Sequence, residues 1–407
     1  MADTLQEMSP AAHGNFGSLD YKTRLPALDS IRALAIVMVF LEHFGGGSHG
    51  GRILRDINFL RERGWVGVDL FFVLSGFLIT GILYDTRSDS RYFQRFFARR
   101  SLRIFPVFYL VVVLLLLLTP ILGLQWKWQQ LSFLVYLGNF FAVHDFSQYD
   151  IPARLHPFFR ITIGHFWSLC VEEQFYLLWP LAIWIIRDRR RLIQISMGLS
   201  LVAFAARCYM VLTHSQFECE TYIVRLLPFR MDTLLIGGVL ALLLRGPASD
   251  VVLRSCRGVF IICSIAAAAI LLSNQPWGSP WVLTFGYTMI ALASAGLIGV
   301  TLRPGSLVYR LFLWKPLRTI GKYSYGFYIF HYLFAAAWIQ LLVRIASWTH
   351  SMVISGIVAL TLNFCVTFLV AKFSYDFFEV FFIHLKKAFL YDSEHTSNSM
   401  PLLQNPL

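Results

Sequence analysis

The chain has 407 residues, 57% hydrophobic, 16% aromatic and only 14% charged, and its mean hydropathy of +0.61 excludes an ordinary soluble domain. The formal net charge of +12 invites a nucleic-acid reading, but the basic residues stand in short clusters between apolar runs with no aromatic-basic surface motif, so no nucleic acid is expected. The expected fold is all-α, a polytopic transmembrane helical bundle.

Residues 1–26 are polar and lack the basic and apolar regions of a signal peptide, so the first span is expected to stay in the mature protein. At about 20 residues per crossing, apolar spans fall near 28–44, 66–84, 104–124, 166–186, 192–213, 230–245, 258–273, 281–302, 324–343 and 352–373. That predicts about ten crossings. Residues 131–143 are too short for one and contain Gly138 and Asn139, which suits a re-entrant or interfacial helix. No internal repeat of the inverted, broken-helix kind is seen. The chain thus divides into a polar N-terminal tail (1–26), one membrane domain (27–384) and a polar C-terminal tail (385–407).

Lys and Arg of the short loops set the orientation. Clusters follow the second span (Arg87 to Arg103), the fourth (Arg187 to Arg191), the sixth (Arg245, Arg254, Arg257) and the eighth (Arg303 to Lys322). All four fall on one side if 131–143 does not cross, which puts both termini in the cytoplasm. Arg52, Arg55, Arg61 and Arg63 resist this reading, and Asp56 and Glu62 offset them only in part. The six cysteines form no C-x-x-C pair, and five lie in or beside apolar spans; Cys219, in an expected loop, is the exception.

The first span reads LDSIRALAIVMVFLEHF and carries Asp29, Arg32, Glu42 and His43, costly groups in hydrocarbon. Arg32 and His43 are eleven residues apart, which returns a helix to within about 20° of one face, displaced by roughly 16 Å. A cation near one surface and an imidazole near the other would line one stripe; the plainer reading is a snorkelling Arg and an interfacial His. In GWVGVDLFFVLSGFLIT the glycines suit close helix packing, and Asp69 is expected either to orient His43 or to cap the helix. Arg100 and Arg103, three apart in RRSLRIFP, share a helical face suited to phosphates of a nucleotide-bearing donor, or to lipid headgroups and topology alone. In GHFWSLCVEEQFYLLWP, Glu172 is expected to face inward, with His165 and Trp167 at the interface; it serves acid/base chemistry or a structural ion pair. Arg230 and Asp232 are expected to pair with each other or with another helix. His331 is read as catalytic or as a histidine satisfied by a tyrosine. Glu379 is expected to pair with a loop arginine.

In order, LDxxR followed by His43, GVDLFFVLSGFLI, RxxR before Ile-x-Pro, WSLxVExQFYLLWP, RxD at Arg230 and Asp232, and SYxxYxxH ending at His331 resemble acyltransferase family 3. These are integral-membrane O-acyltransferases that acylate cell-surface polysaccharides and, in some members, macrolide-type metabolites. The resemblance runs from about Arg24 to Phe382. It implies acyl-CoA, most simply acetyl-CoA, as cytoplasmic co-substrate with no bound cofactor or metal. It also implies a glycan or glycolipid acceptor on the far side and a site in a bacterial cytoplasmic membrane, among lipids. By position His43 becomes the general base, with Asp69 or Glu172 orienting it, and Arg32, Arg100 and Arg103 hold the donor. Arg230, Asp232 and His331 join them as binding residues. Glu172 rather than Glu173 matches the motif. Ser30 and Ala33 stand where members often have Gly, crowding the helix without removing a chemical group. No hydrolase-like domain follows the last span, so a second transfer step is expected to need a partner protein. The rivals are a transporter of acyl groups or lipid-linked sugars, an enzyme acylating a small glycosylated metabolite, and a partner-binding protein without catalysis.

Overall fold

A computed structural model describes residues 25–44, 58–141, 150–154, 160–273, 277–303 and 305–391. The tail up to Arg24, Arg52, Arg55 and Asp56 of the first loop, and residues 392–407 lie outside the described residues. Helix α1 (Pro26–His43) starts on a proline, whose missing N–H costs nothing at a first turn. It is followed by α2 (Val66–Asp85) and by α3 (Tyr92–Leu122), which Gly123 ends in a left-handed turn at φ +65°. The segment expected to be interfacial forms short helical turns at Trp128–Leu131, Ser132–Val135 and Gly138–Phe141, none long enough to cross. Strands β1 (Asp150–Pro152) and β2 (Arg160–Thr162) pair antiparallel, with Ile151 opposite Ile161. Then come α4 (Trp167–Ile185), α5 (Arg189–Thr213), α6 (Gln216–Arg225), α7 (Leu227–Leu243), α8 (Ser249–Leu272), α9 (Tyr287–Thr301), α10 (Lys315–Lys322), α11 (Ser324–Phe330), α12 (Ala335–Thr349), α13 (Met352–Ser374) and α14 (Val380–Leu385).

Helices α2 and α7 form the centre. A Cβ placed on Gly76 would stand 1.8 Å from the Leu234 carbonyl oxygen, and one on Gly237 would stand 2.0 Å from that of Val73. The two backbones touch because neither glycine has a side chain, the packing mode of helices that gain nothing from hydrophobicity alone. Around this crossing, α2 is 67% buried over its most apolar stretch, whereas α5 and α8 are only 22% and 17% buried and face outward.

Among the described residues, six helices are long and apolar enough to cross a membrane, or eight if each of two bent pairs makes one span. Those eight match eight of the ten expected crossings. The other two, α1 and α4, are helical over 18 and 19 residues, but their polar residues hold them below the same standard of hydropathy and charge. Two of the eight are bent pairs. α6 and α7 meet at 44°, where Pro228 in the first turn of α7 removes a donor. α11 and α12 meet at 75°, and there no local breaker exists. Instead the freed Leu333 carbonyl accepts from Thr162 N–H at 3.0 Å, so a tertiary partner holds the bend.

The basic clusters share one end of the bundle. Arg245 at the end of α7 donates to Asp85 at the end of α2 (2.7 Å), and Arg189 at the start of α5 donates to the Leu242 carbonyl (3.2 Å). Ser30 near the start of α1 donates to the Phe312 carbonyl (2.5 Å), bringing the loop after α9 to the same end. Replacing Gly76 by Ala should therefore cost about 3 kcal/mol of unfolding free energy in detergent, because the helices must part. Gly198→Ala on α5, where nothing lies within 4 Å of an added Cβ, should change it by less than about 1 kcal/mol; denaturant titration of both variants checks the contrast.

Candidate active site

Arg32, Arg100 and Arg103 converge at the basic end on a cavity of about 130 Å³ that Glu172, Ser168 and Tyr328 also line. Arg32 is tethered one turn back by Asp29 (2.6 Å), which leaves its guanidinium at the cavity edge. Arg100 lies over the Tyr176 ring, 4.1 Å from its centroid, and donates to the Tyr176 hydroxyl, which is also hydrogen-bonded to Ser75 Oγ (2.5 Å). Glu172 lies beside Ser75 and Tyr176 on the wall of the cavity, and Glu173 is not on that wall. Three cations and one carboxylate leave the cavity net positive, a setting for an anionic ligand.

His43, at the other end of the same face of α1, packs on Tyr332 (ring centroids 4.2 Å apart) and edge-on to His331 (5.0 Å); His331 in turn lies 5.0 Å from His165. A carbonyl only accepts, so the backbone assigns each tautomer. His43 Nδ1–H donates to the Val39 carbonyl (2.8 Å) and lies 3.0 Å from Glu42 Oε2, leaving Nε2 as the basic nitrogen. His331 Nδ1–H donates to the Tyr328 carbonyl (2.7 Å), and its buried Nε2 has no partner among the described residues. His165 Nε2–H donates to the Ile329 carbonyl (3.3 Å), and its buried Nδ1 has no partner among the described residues. Tyr328 joins the two ends: it lines the cavity, its hydroxyl donates to the His165 carbonyl (2.5 Å) and pairs with Ser168 Oγ (2.6 Å), and its ring packs on both buried histidines.

His165 is the residue that sequence reasoning left at the interface. The signal was present, since His165 and Glu172 are seven residues apart and fall within about 20° of one helical face. Asp69 requires the opposite correction. It does not orient His43; it is fully buried and accepts from Arg230 across the α2–α7 crossing at 2.7 Å. A permanent cation stabilises a carboxylate away from water better than an imidazole does. Asp232 likewise pairs with Arg207 (2.7 Å), a residue sequence reasoning did not single out; Arg207 also donates to Thr288 Oγ1 and to the Phe229 carbonyl, both at 2.7 Å. Arg230 and Asp232 thus pair with other helices and not with each other. Glu379 is buried, and neither carboxylate oxygen is in an ion pair among the described residues; Arg103 is the cation that acts on it electrostatically. Cys219 lies buried in α6 and not in a loop. Among the described residues no group of three His, Cys, Asp or Glu is arranged to hold a metal ion. A second cleft, of about 880 Å³ among α5, α7, α8 and α9, is apolar but for Asp232 and a few hydroxyls.

The profile of a family described as "Acyltransferase domain" matches residues 25–372. The O-acetyltransferase OatA of Staphylococcus aureus is 29% identical over 321 residues, 76% of this chain and 50% of the relative. The peptidoglycan O-acetyltransferase OatA of Listeria monocytogenes is 28% identical over 375 residues (87% and 55%). The putative peptidoglycan O-acetyltransferase YrhL of Bacillus subtilis is 29% identical over 324 residues (76% and 48%). The chain spans about half the length of these curated relatives, and no solved structure matches it.

The buried pairs have a measurable consequence. Asp69→Ala should destabilise the folded protein by about 3–5 kcal/mol, because Arg230 is left charged and alone. The double variant Asp69→Ala, Arg230→Met should recover most of that loss. Unfolding curves of the three proteins test whether Asp69 is a structural counter-ion.

Proposed function

This chain belongs to the acyltransferase domain family, and from that premise we propose that it is a membrane O-acyltransferase moving an acetyl group from acetyl-CoA to a hydroxyl of a cell-envelope glycan. Peptidoglycan is the leading acceptor class, because two of the relatives named above carry it in their names. The orientation that follows from the basic end of the bundle puts that end, and both termini, in the cytoplasm of a bacterial inner membrane. Donor and acceptor then approach from opposite sides.

One observation carries the reading. A single face of α1 leads from a cation-lined cavity to the His43 imidazole, whose Nδ1 is held by Val39 and Glu42 and whose Nε2 is the nitrogen left over, with Tyr328 contacting both the cavity and the two neighbouring histidines. Arg100 and Arg103, at the surface turn of α3, suit the donor phosphates. Arg32, further along the face, suits the donor arm. The thioester then lies toward His43. There the acceptor hydroxyl oxygen attacks the thioester carbonyl while His43 Nε2 takes its proton. The C–S bond breaks, the ester leaves with the acyl group, and the imidazolium proton goes to the departing thiolate, so coenzyme A leaves as the thiol. Glu42 and the Val39 carbonyl hold the ring in the tautomer this requires.

The 75° break beside His331 also fits a translocation reading, since broken helices are common at transport sites. Purified protein in detergent, given acetyl-CoA and soluble muropeptides, separates the two. The enzyme releases free thiol in proportion to acceptor, and a transporter releases none. His43→Ala should lower acceptor-dependent release by at least about 100-fold. Full release by a well-folded His43→Ala protein would remove His43 as the base.

A further inference from the structure

The family match ends at residue 372, and the chain continues beyond it. A wide helical turn at Tyr375–Glu379, α14 and a last turn at Lys386–Phe389 carry it back against the start of α3. Arg99 Nη1 donates to the Phe389 carbonyl (3.3 Å), and its guanidinium lies 4.8 Å over the Tyr391 ring. Arg103 lies 5.8 Å over the Tyr375 ring. Tyr391 is 5% exposed, so the return is packed and not draped.

The return also brings in an amine, that of Lys386, whose pKa is lowered to about 7 by burial and the neighbouring arginines. Lys386 lies within electrostatic reach of Arg99, Arg100 and Arg103. Among the described residues none of Arg100, Arg103 and Lys386 is in an ion pair, and Arg100 Nε is buried with no hydrogen-bond partner. The carboxylates facing this cluster are Glu172 and Glu173 of α4 and Glu379. Arg100, Arg103 and Lys386 thus stand close together beside three carboxylates, a grouping whose mutual repulsion a multiply charged anion would relieve. The parts are complementary. Guanidinium forks bind phosphate oxygens in pairs, and an ammonium adds a point charge on a flexible stem.

We propose that the return from Tyr375 to Tyr391 completes the donor site, with Lys386 contacting a phosphate ester of the donor beside Arg100 and Arg103. The proposal rests on the donor reading given above. It makes a segment beyond the matched domain part of the substrate-binding surface.

Binding of coenzyme A, and of pantetheine, which keeps the thiol arm and lacks the phosphates, is measured on the full chain in nanodiscs of neutral lipid. Lys386→Gln should weaken coenzyme A at least about tenfold and leave pantetheine unchanged, and Lys386→Arg should restore most of the affinity. Lys386→Met, which keeps the alkyl stem, replaces Lys386→Gln if the latter does not purify as a single species. Unchanged coenzyme A affinity, or an equal loss for pantetheine, overturns the assignment. A lipid headgroup offers the same phosphate chemistry, so retention of phosphatidylglycerol is measured alongside. Loss of bound phosphatidylglycerol with intact coenzyme A affinity assigns Lys386 to lipid and overturns the donor role. Absence of coenzyme A binding by the unsubstituted protein refutes the donor reading itself, and the Lys386 assignment falls with it.

Discussion

Helices α2 and α7 approach until peptide groups touch, and this contact sets the positions of the other elements. Gly76 and Gly237 make it sterically possible, and the Asp69–Arg230 pair seals it at 2.7 Å. A second pair, Arg207 with Asp232, ties α5 to the far side of α7. Charges in hydrocarbon are stable only when neutralised and hydrogen-bonded, so each pair permits essentially one registration of its helices. With α2 held this way, Ser75 faces Tyr176, Tyr176 holds Arg100, and the cavity acquires its cationic wall.

The intramembrane charges therefore fall into two groups. Asp69, Arg230, Arg207 and Asp232 neutralise one another and are spent on architecture. Arg100 and Arg103 have no carboxylate partner among the described residues, and they border open space. Both groups look alike in a sequence: each is a charge in an apolar run. For Arg100 and Arg103 the difference is that the fold brings no carboxylate among the described residues into an ion pair with them, whereas Arg32 on the same cavity is held by Asp29.

Legibility followed the range of the interaction. The shared face of Arg32 and His43, the inward choice of Glu172 over Glu173, and the common side of the four basic loops all follow from helical period and loop charge, and the structure has each of them. The partner of Asp69 lies 161 residues away on α7, and no local pattern names it. Arg207 did leave a trace, a lone arginine inside AARCYMVL, and that trace was not weighed. The bend after α11 depends on a hydrogen bond from β2, again beyond local reach. The last turn from Lys386 reads as part of the polar tail of 385–407 because its contacts are with α3, 290 residues earlier in the chain.

The three imidazoles share one further property. Each is oriented by a peptide carbonyl: Val39 for His43, Tyr328 for His331 and Ile329 for His165. A carbonyl survives every side-chain substitution at its own position. Point mutation of these three neighbours therefore leaves the orienting group in place, and only a shift of backbone register takes it away. Sequences built on this scaffold are free to vary at Val39, Tyr328 and Ile329 while the carbonyls that orient the three rings are inherited unchanged.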